Sequence, residues 1–177
     1  AAEQAAPHRP EDHGGAGLGQ VEFALLAEAA GAHVAALPML GLAMASGAIA
    51  AGGSPEQKAL WLSKLACGEV VAACAGTHEL EANGNKLSGR FEFVAHGGIA
   101  NIFVLGDDRG AWIVSTSAAG LTIDKHTTMD QTRPFATLTL DNVSGEPLSD
   151  GPAAMQAARE AGWLCISAEA LGGAQAA

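Results

Sequence analysis

The sequence predicts an α+β fold: an N-terminal α-helical region, a middle antiparallel β block suited to a small barrel or sandwich, and one long helix at the end. Three observations predict it. The 177 residues include 39 Ala and 23 Gly against 5% aromatics and no Tyr, so most of the 49% hydrophobic fraction is small and suits closely packed helices. Helical periodicity occupies Gln20 to about Cys67 and returns after Gly151-Pro152. Between them lie short β-branched or alternating runs separated by Gly, Asn and Asp. The expected domains are residues 1–68, 69–150 and 151–177.

The elements follow in order. Residues 1–13 are polar, and the glycines at 14, 15, 17 and 19 lack both GxGxxG spacing and a following Lys, so they read as a turn before a helix. Val21, Ala24, Leu25 and Glu28 keep a 3.6-residue period; Pro38 interrupts before Met39, Leu42, Ala43 and Ile49. Gly52-Gly53 closes that helix. Ser54-Pro55-Glu56-Gln57 then places Ser at the N-cap, Pro at N1 and Gln at N3, a capping box for a helix with Leu60, Trp61 and Leu65 as its stripe. Gly68 stops it.

Six strands are expected at Val70 to Ala75, Lys86 to Val94, Ile102 to Leu105, Ala111 to Thr116, Leu121 to Ile123 and Ala136 to Leu140. Thr137, Thr139 and Asp141 alternate with Ala136, Leu138 and Leu140, the pattern of a strand with one wet face. Asn83-Gly84, Gly97-Gly98 and Asp107 to Gly110 mark turns, the last a solvated one. In the final helix Met155, Ala158, Leu164 or Trp163, Ile166 and Leu171 are the expected packing positions.

Formal charge is −10, from 9 basic and 19 acidic residues, with the basic ones scattered; nucleic acid and anionic lipid are therefore disfavoured partners. Cys67, Cys74 and Cys165 make no CxxC pair and read as free thiols. The apolar stretch from Val34 to Ala51 contains Pro38 and lacks basic flanks, so it reads as a buried helix; with no signal peptide expected, the location expected is cytoplasmic. Cys74, His78, Glu79 and Glu81 lie on a strand and loop where ligand directions diverge, so no metal is expected. His13, His33 and His126 have no partner at catalytic spacing and read as surface or cap residues. No GxSxG is present, and Cys67 has no evident base.

Several segments, in order, resemble the acyl-CoA dehydrogenase family. Pro10 to Gly19 resembles its "PEEYGGxGLG", and Gly53 to Lys58 with Trp61-Leu62 and Leu65 to Glu69 resembles "GSxEQKxxWLPxLASGE". Leu87-Ser88-Gly89 followed by His96 to Asn101 is similar to "LNGxKxWITNGGxAD". Asp141-Asn142-Val143 looks like "DDV", and Ala168 to Gly172 like part of the helix after it. The resemblance spans residues 10–175. It implies an N-terminal helical domain, a middle β-domain and a C-terminal four-helix domain, of which one helix is here; the expectation is a piece of a longer polypeptide or a short member.

The resemblance implies FAD-dependent α,β-dehydrogenation of an acyl-CoA thioester, in fatty-acid or steroid side-chain β-oxidation. A carboxylate removes the α-proton, and the site must stabilise enolate-like charge. The family's catalytic Glu lies beyond the stretch corresponding to Ala177, so no catalytic residue is assigned in this chain. Thr77 matches the Thr of "TEP" that bonds the flavin pyrimidine edge, with His78 and Glu79 replacing Glu and Pro. The "GSD" segment whose Ser helps hold CoA has no counterpart, and nine residues separate Thr77 from Leu87. At "WIT" stand Phe93, Val94 and Ala95: Phe93 keeps a ring to pack on the isoalloxazine or else fills the core, and Ala95 lacks the family's hydroxyl. Arg133 is the candidate for CoA or FAD phosphate, with a salt bridge to Asp130 as its structural alternative. The resemblance further implies homo- or hetero-oligomers with acyl-CoA dehydrogenase chains and a flavoprotein electron acceptor. With Ala95 and the lost "GSD", a non-catalytic partner subunit is the rival reading.

Overall fold

The computed structural model describes residues 19–77 and 80–177. Three helices lead: α1 (Gln20–Ala32), α2 (Met39–Gly52) and α3 (Pro55–Ala66). Eight strands follow: β1 (Ala72–Gly76), β2 (Glu81–Asn83), β3 (Lys86–Ala95), β4 (Ile102–Gly106), β5 (Ala111–Ser115), β6 (Leu121–Lys125), β7 (Phe135–Ser144) and β8 (Glu146–Pro147). The 26-residue α4 (Gly151–Ala176) ends the described chain. No described helix is long and apolar enough to cross a membrane. The segment from Pro10 to Leu18, with His13, and the pair His78 and Glu79 lie outside the described residues.

Helix ends follow their local chemistry. Ser54 Oγ accepts from Gln57 N at 3.2 Å, and Ser54 N donates to Gln57 Oε1 at 2.9 Å, closing the capping box of α3. Gln57 also donates through Nε2 to Glu146 Oε1 (2.7 Å) and the Pro147 carbonyl (3.0 Å), tying α3 to β8. Gly68 leaves α3 at φ +72°. Asp150 Oδ1 caps α4 by accepting from Ala153 N at 3.0 Å.

The strands form two four-stranded sheets, ordered β1-β4-β5-β8 and β2-β3-β7-β6. They make an open sandwich rather than a closed barrel. One pairing departs from the antiparallel expectation: β1 and β4 run parallel, because the intervening β2 and β3 belong to the other sheet. Ala73, Phe103, Leu105 and Val114 of the first sheet meet Leu87, Phe91, Val94, Leu138, Leu140 and Val143 of the second. The first sheet's opposite face, with Ala72, Cys74, Ile102, Val104 and Ile113, packs on α2, α3 and α4. All five residues of β4 are therefore buried, as its unbroken apolar run implies.

The helical layer is set by its small residues. A Cβ on Gly172 would overlap the Glu28 carbonyl oxygen, one on Gly31 that of Glu169, and one on Gly52 that of Asp150. At these three points the axes are too close for any side chain on the glycine. Here the predicted stripes are corrected: Phe23 and Ala27 are the buried residues of α1, while Val21 and Leu25 face outward. On α4 the inward positions are Ala154, Met155, Ala158, Gly162, Cys165, Ala168 and Gly172, whereas Trp163, Ile166 and Leu171 are exposed. On α3, Leu60 is likewise exposed and Leu62 and Leu65 are buried.

Candidate functional site

A cleft of about 290 Å³ lies where α2 and α4 meet the ends of β1 and β4. Met44, Met155 and Ala158 give it apolar lining; Thr77, Asp107, Asp108 and Arg159 give polar lining. Thr77 follows β1 directly and is held by its amide, which donates to the Gly106 carbonyl at 3.1 Å. Asp107, read from the sequence as part of a solvated turn, is buried. Burial pushes its carboxyl up, but the Arg109 side chain and the Arg109 and Gly110 amides bond it and hold it below its ordinary value. It therefore fixes the β4–β5 turn beside the cleft as a carboxylate, while Arg159 donates only to Gln156 among the bonds described.

The other sequence-derived positions gather at one end of the second sheet, on its outward face. Phe93 sits in a β-bulge, where the β3–β7 register shifts between Phe91 and Val94, at φ +52°. A bulky residue at positive φ is strained, and the strain turns its ring outward, 65% exposed, instead of into the core. The core reading thus holds for Val94, which is 2% exposed, and fails for Phe93. The ring is braced edge-on by His126 at 5.2 Å and by Phe135 at 6.5 Å between centroids. Ala95 pairs with Phe135 and is half-buried against the cluster of α1, α2 and α4 residues.

Sequence reading missed two histidines here. His126, read as a surface or cap residue, is half-buried with Nε2 2.8 Å from Thr137 Oγ1. Thr137 was expected on a wet face and is instead 3% exposed. The register of the β6–β7 pair was the signal that puts them together. His96 is buried at φ +60°, and among the described residues neither ring nitrogen has a hydrogen-bond partner. Burial, then the adjacent Arg133 guanidinium, hold its pKa below the ordinary value.

Arg133 pairs with Glu169 of α4, not with Asp130 as the sequence alternative had it. Asp130 is occupied locally, accepting from Thr132 N (2.8 Å) and Oγ1 (2.6 Å). The guanidinium thereby ties the β6–β7 loop to the helical layer. Cys165, one turn before Glu169, has its thiol pushed up to about 12 by burial and then by the Glu169 charge. Cys74 is pushed to about 12 by burial, so both remain thiols at neutral pH. The sequence candidates thus fall into two places: Thr77 at the cleft, and Phe93, Ala95 and Arg133 around the end of the second sheet.

The described residues fit a flavin at two points and not at a third. Phe93 offers an exposed ring for stacking and Thr77 lines the separate helix–sheet cleft, but Ala95 offers no donor.

Residues 3–69 match the family described as acyl-CoA dehydrogenase, N-terminal domain. No curated protein matches the chain. Among solved structures, the glutaryl-coenzyme A dehydrogenase glutaryl-CoA complex is similar at 18% identity and TM-score 0.87, over 99% of this chain and 54% of that one. PigA with FAD and proline is similar at 20% identity and TM-score 0.86, over 99% and 56%. The Tcur3481-Tcur3483 steroid acyl-CoA dehydrogenase is similar at 27% identity and TM-score 0.81, over 99% and 52%. The chain spans about half the length of these structures.

Proposed function

We propose that this chain, which has the acyl-CoA dehydrogenase fold and whose residues 3–69 match that family's N-terminal domain, contributes the flavin- and acyl-facing part of an FAD-dependent acyl-CoA dehydrogenase. The reaction is α,β-dehydrogenation of an acyl-CoA thioester, in fatty-acid or steroid side-chain β-oxidation. Residues 1–68, 69–150 and 151–177 correspond to the helical, β and incipient bundle domains. The observation that carries the reading is the cleft shared by α2, α4 and Thr77, in a chain of this fold.

Bound FAD supplies the hydride acceptor. This chain's residues do the positioning. Met44, Met155 and Ala158 exclude water from the acyl carbons, each buried methylene contributing about 0.8 kcal/mol. At about 290 Å³ the cleft is at the small end for ligand pockets, enough for an acyl portion and not for a whole CoA thioester. Phe93 would pack against the flavin ring, and Thr77 would bond its pyrimidine edge. Of the carboxylates near the cleft, Asp107 is held by Arg109; the family resemblance puts the base in a segment beyond the stretch that matches this chain, so none of the described carboxylates is assigned that role. Arg133, committed to Glu169, acts on substrate only by holding the β6–β7 loop.

Ala95 at the hydroxyl position favours a second reading: a partner subunit whose flavin site is degenerate, working with a homologous catalytic chain. A similar structure whose name joins Tcur3481 and Tcur3483 supports pairing of this kind. The assembly partners in either reading are acyl-CoA dehydrogenase chains, the electron acceptor is a flavoprotein, and the location is the cytoplasm. The experiment is purification of the full-length protein alone and co-expressed with a homologous acyl-CoA dehydrogenase chain. Flavin content and acyl-CoA oxidation with an artificial acceptor are then assayed. Activity alone supports the first reading, activity only in the mixture supports the second, and neither flavin nor activity in either preparation overturns both.

A further inference from the structure

The outward face at the end of the second sheet holds more than the stacking ring. Phe93, Ala95, Phe135 and Thr137 share this face, since Val94, Ala136 and Leu138 point into the sandwich core. Phe93 is exposed and strained; Thr137, on the same face, is 3% exposed. The imidazole of His126 connects them, with one nitrogen 2.8 Å from the Thr137 hydroxyl and the ring edge-on to Phe93 at 5.2 Å. Its backbone is fixed as well, with His126 N donating to the Phe135 carbonyl at 2.9 Å. A polar ring anchored at both its backbone and its side chain, beside an outward aromatic platform, is built to meet something planar with a polar edge.

We propose that His126 is a cofactor-binding residue that makes the side-chain hydrogen bond to the flavin edge which Ala95 cannot make, with Thr137 as its positioning residue. The inference rests on the flavin-binding reading above. The Nε2–Thr137 bond forms with either group as donor; in the tautomer in which the hydroxyl donates, the ring proton sits on Nδ1, and that N–H is the donor offered to the cofactor. The T-shaped contacts with His126 and Phe135 fix the tilt of the Phe93 ring, which would supply the stacking surface. The small Ala95 then costs the site nothing sterically, and its missing donor is replaced from the residue that follows β6 rather than from β3.

The test is FAD titration of the full-length protein, read by flavin fluorescence quenching and by the visible absorption spectrum. It uses the wild type and His126→Phe, His126→Gln and Thr137→Val, each shown folded by circular dichroism. His126→Phe keeps the edge contact and deletes the donor, and is expected to weaken FAD binding up to about tenfold, what one hydrogen bond contributes, and to shift the flavin bands. His126→Gln, which retains a donor, stays within about threefold of wild type, and Thr137→Val falls between the two. Equal affinity and identical spectra for wild type and His126→Phe overturn the inference and leave the flavin reading intact. So does equal loss in the Phe and Gln variants. A folded wild type that binds no FAD overturns both.

Discussion

Replacing Glu169 by Leu removes one half of the ion pair that ties the β6–β7 loop to α4. The Arg133 and Glu169 side chains are 30% and 15% exposed, so the pair is largely shielded from water. Exposed pairs are worth about 0–1 kcal/mol, and breaking a fully buried one costs about 3–5 kcal/mol because the survivor is left uncompensated. This geometry lies between those limits. The expected loss is about 2 kcal/mol. With urea m-values of about 1–3 kcal/mol/M, the unfolding midpoint drops by roughly 1 M. The assay is urea denaturation followed by circular dichroism on wild type, Glu169→Leu, Arg133→Met and the double variant. The double variant recovers most of the loss, since two apolar side chains replace both charges. A loss below about 0.5 kcal/mol in the single variant, or strictly additive single losses, refutes the reasoning.

Other outcomes follow from the same geometry. Because burial and Arg133 hold His96 below its unfolded pKa of about 6.5, the unfolded chain binds the extra proton. This contribution to stability is complete above about pH 6.5 and is lost as pH falls below it; thermal unfolding from pH 8 to 5 shows a steeper decline in wild type than in His96→Asn. Gly172→Ala, whose Cβ overlaps the Glu28 carbonyl, costs about 1–3 kcal/mol or more. Gly173→Ala, 3.8 Å from the Gly31 oxygen, is expected to gain about 0.5–1 kcal/mol in the same denaturation assay. Gln57→Ala removes one side of a capping box and two bonds to Glu146 and Pro147, lowering stability by about 1–2 kcal/mol by the same measurement.

What the sequence revealed divides by the range of the interaction. The α3 capping box involves residues three apart, and Ser54 and Gln57 pair as their spacing requires. The buried strand Ile102–Gly106 announces itself by an unbroken apolar run. The stripes of α1 and α4 misled because periodicity weights large side chains, whereas Gly31, Gly52 and Gly172 set the helix separation and turned Val21, Leu25, Trp163 and Ile166 outward. Thr137 was misassigned since alternation gives a face and not what covers it; His126 covers it. Arg133 with Glu169 spans 36 positions and two elements, beyond any local pattern. The motif resemblance located Thr77, Phe93 and Ala95, but only the bulge at Phe93 explains how its ring reaches the surface.

The most direct measurement is anaerobic mixing of the flavin-loaded full-length protein, alone and with its co-expressed homologous chain, with a panel of saturated acyl-CoA thioesters, following the oxidised flavin band. The account predicts bleaching of that band by an acyl-CoA and none by free CoA or by the matching enoyl-CoA. Absence of flavin from both preparations, or a band unchanged by every acyl-CoA in both, contradicts it.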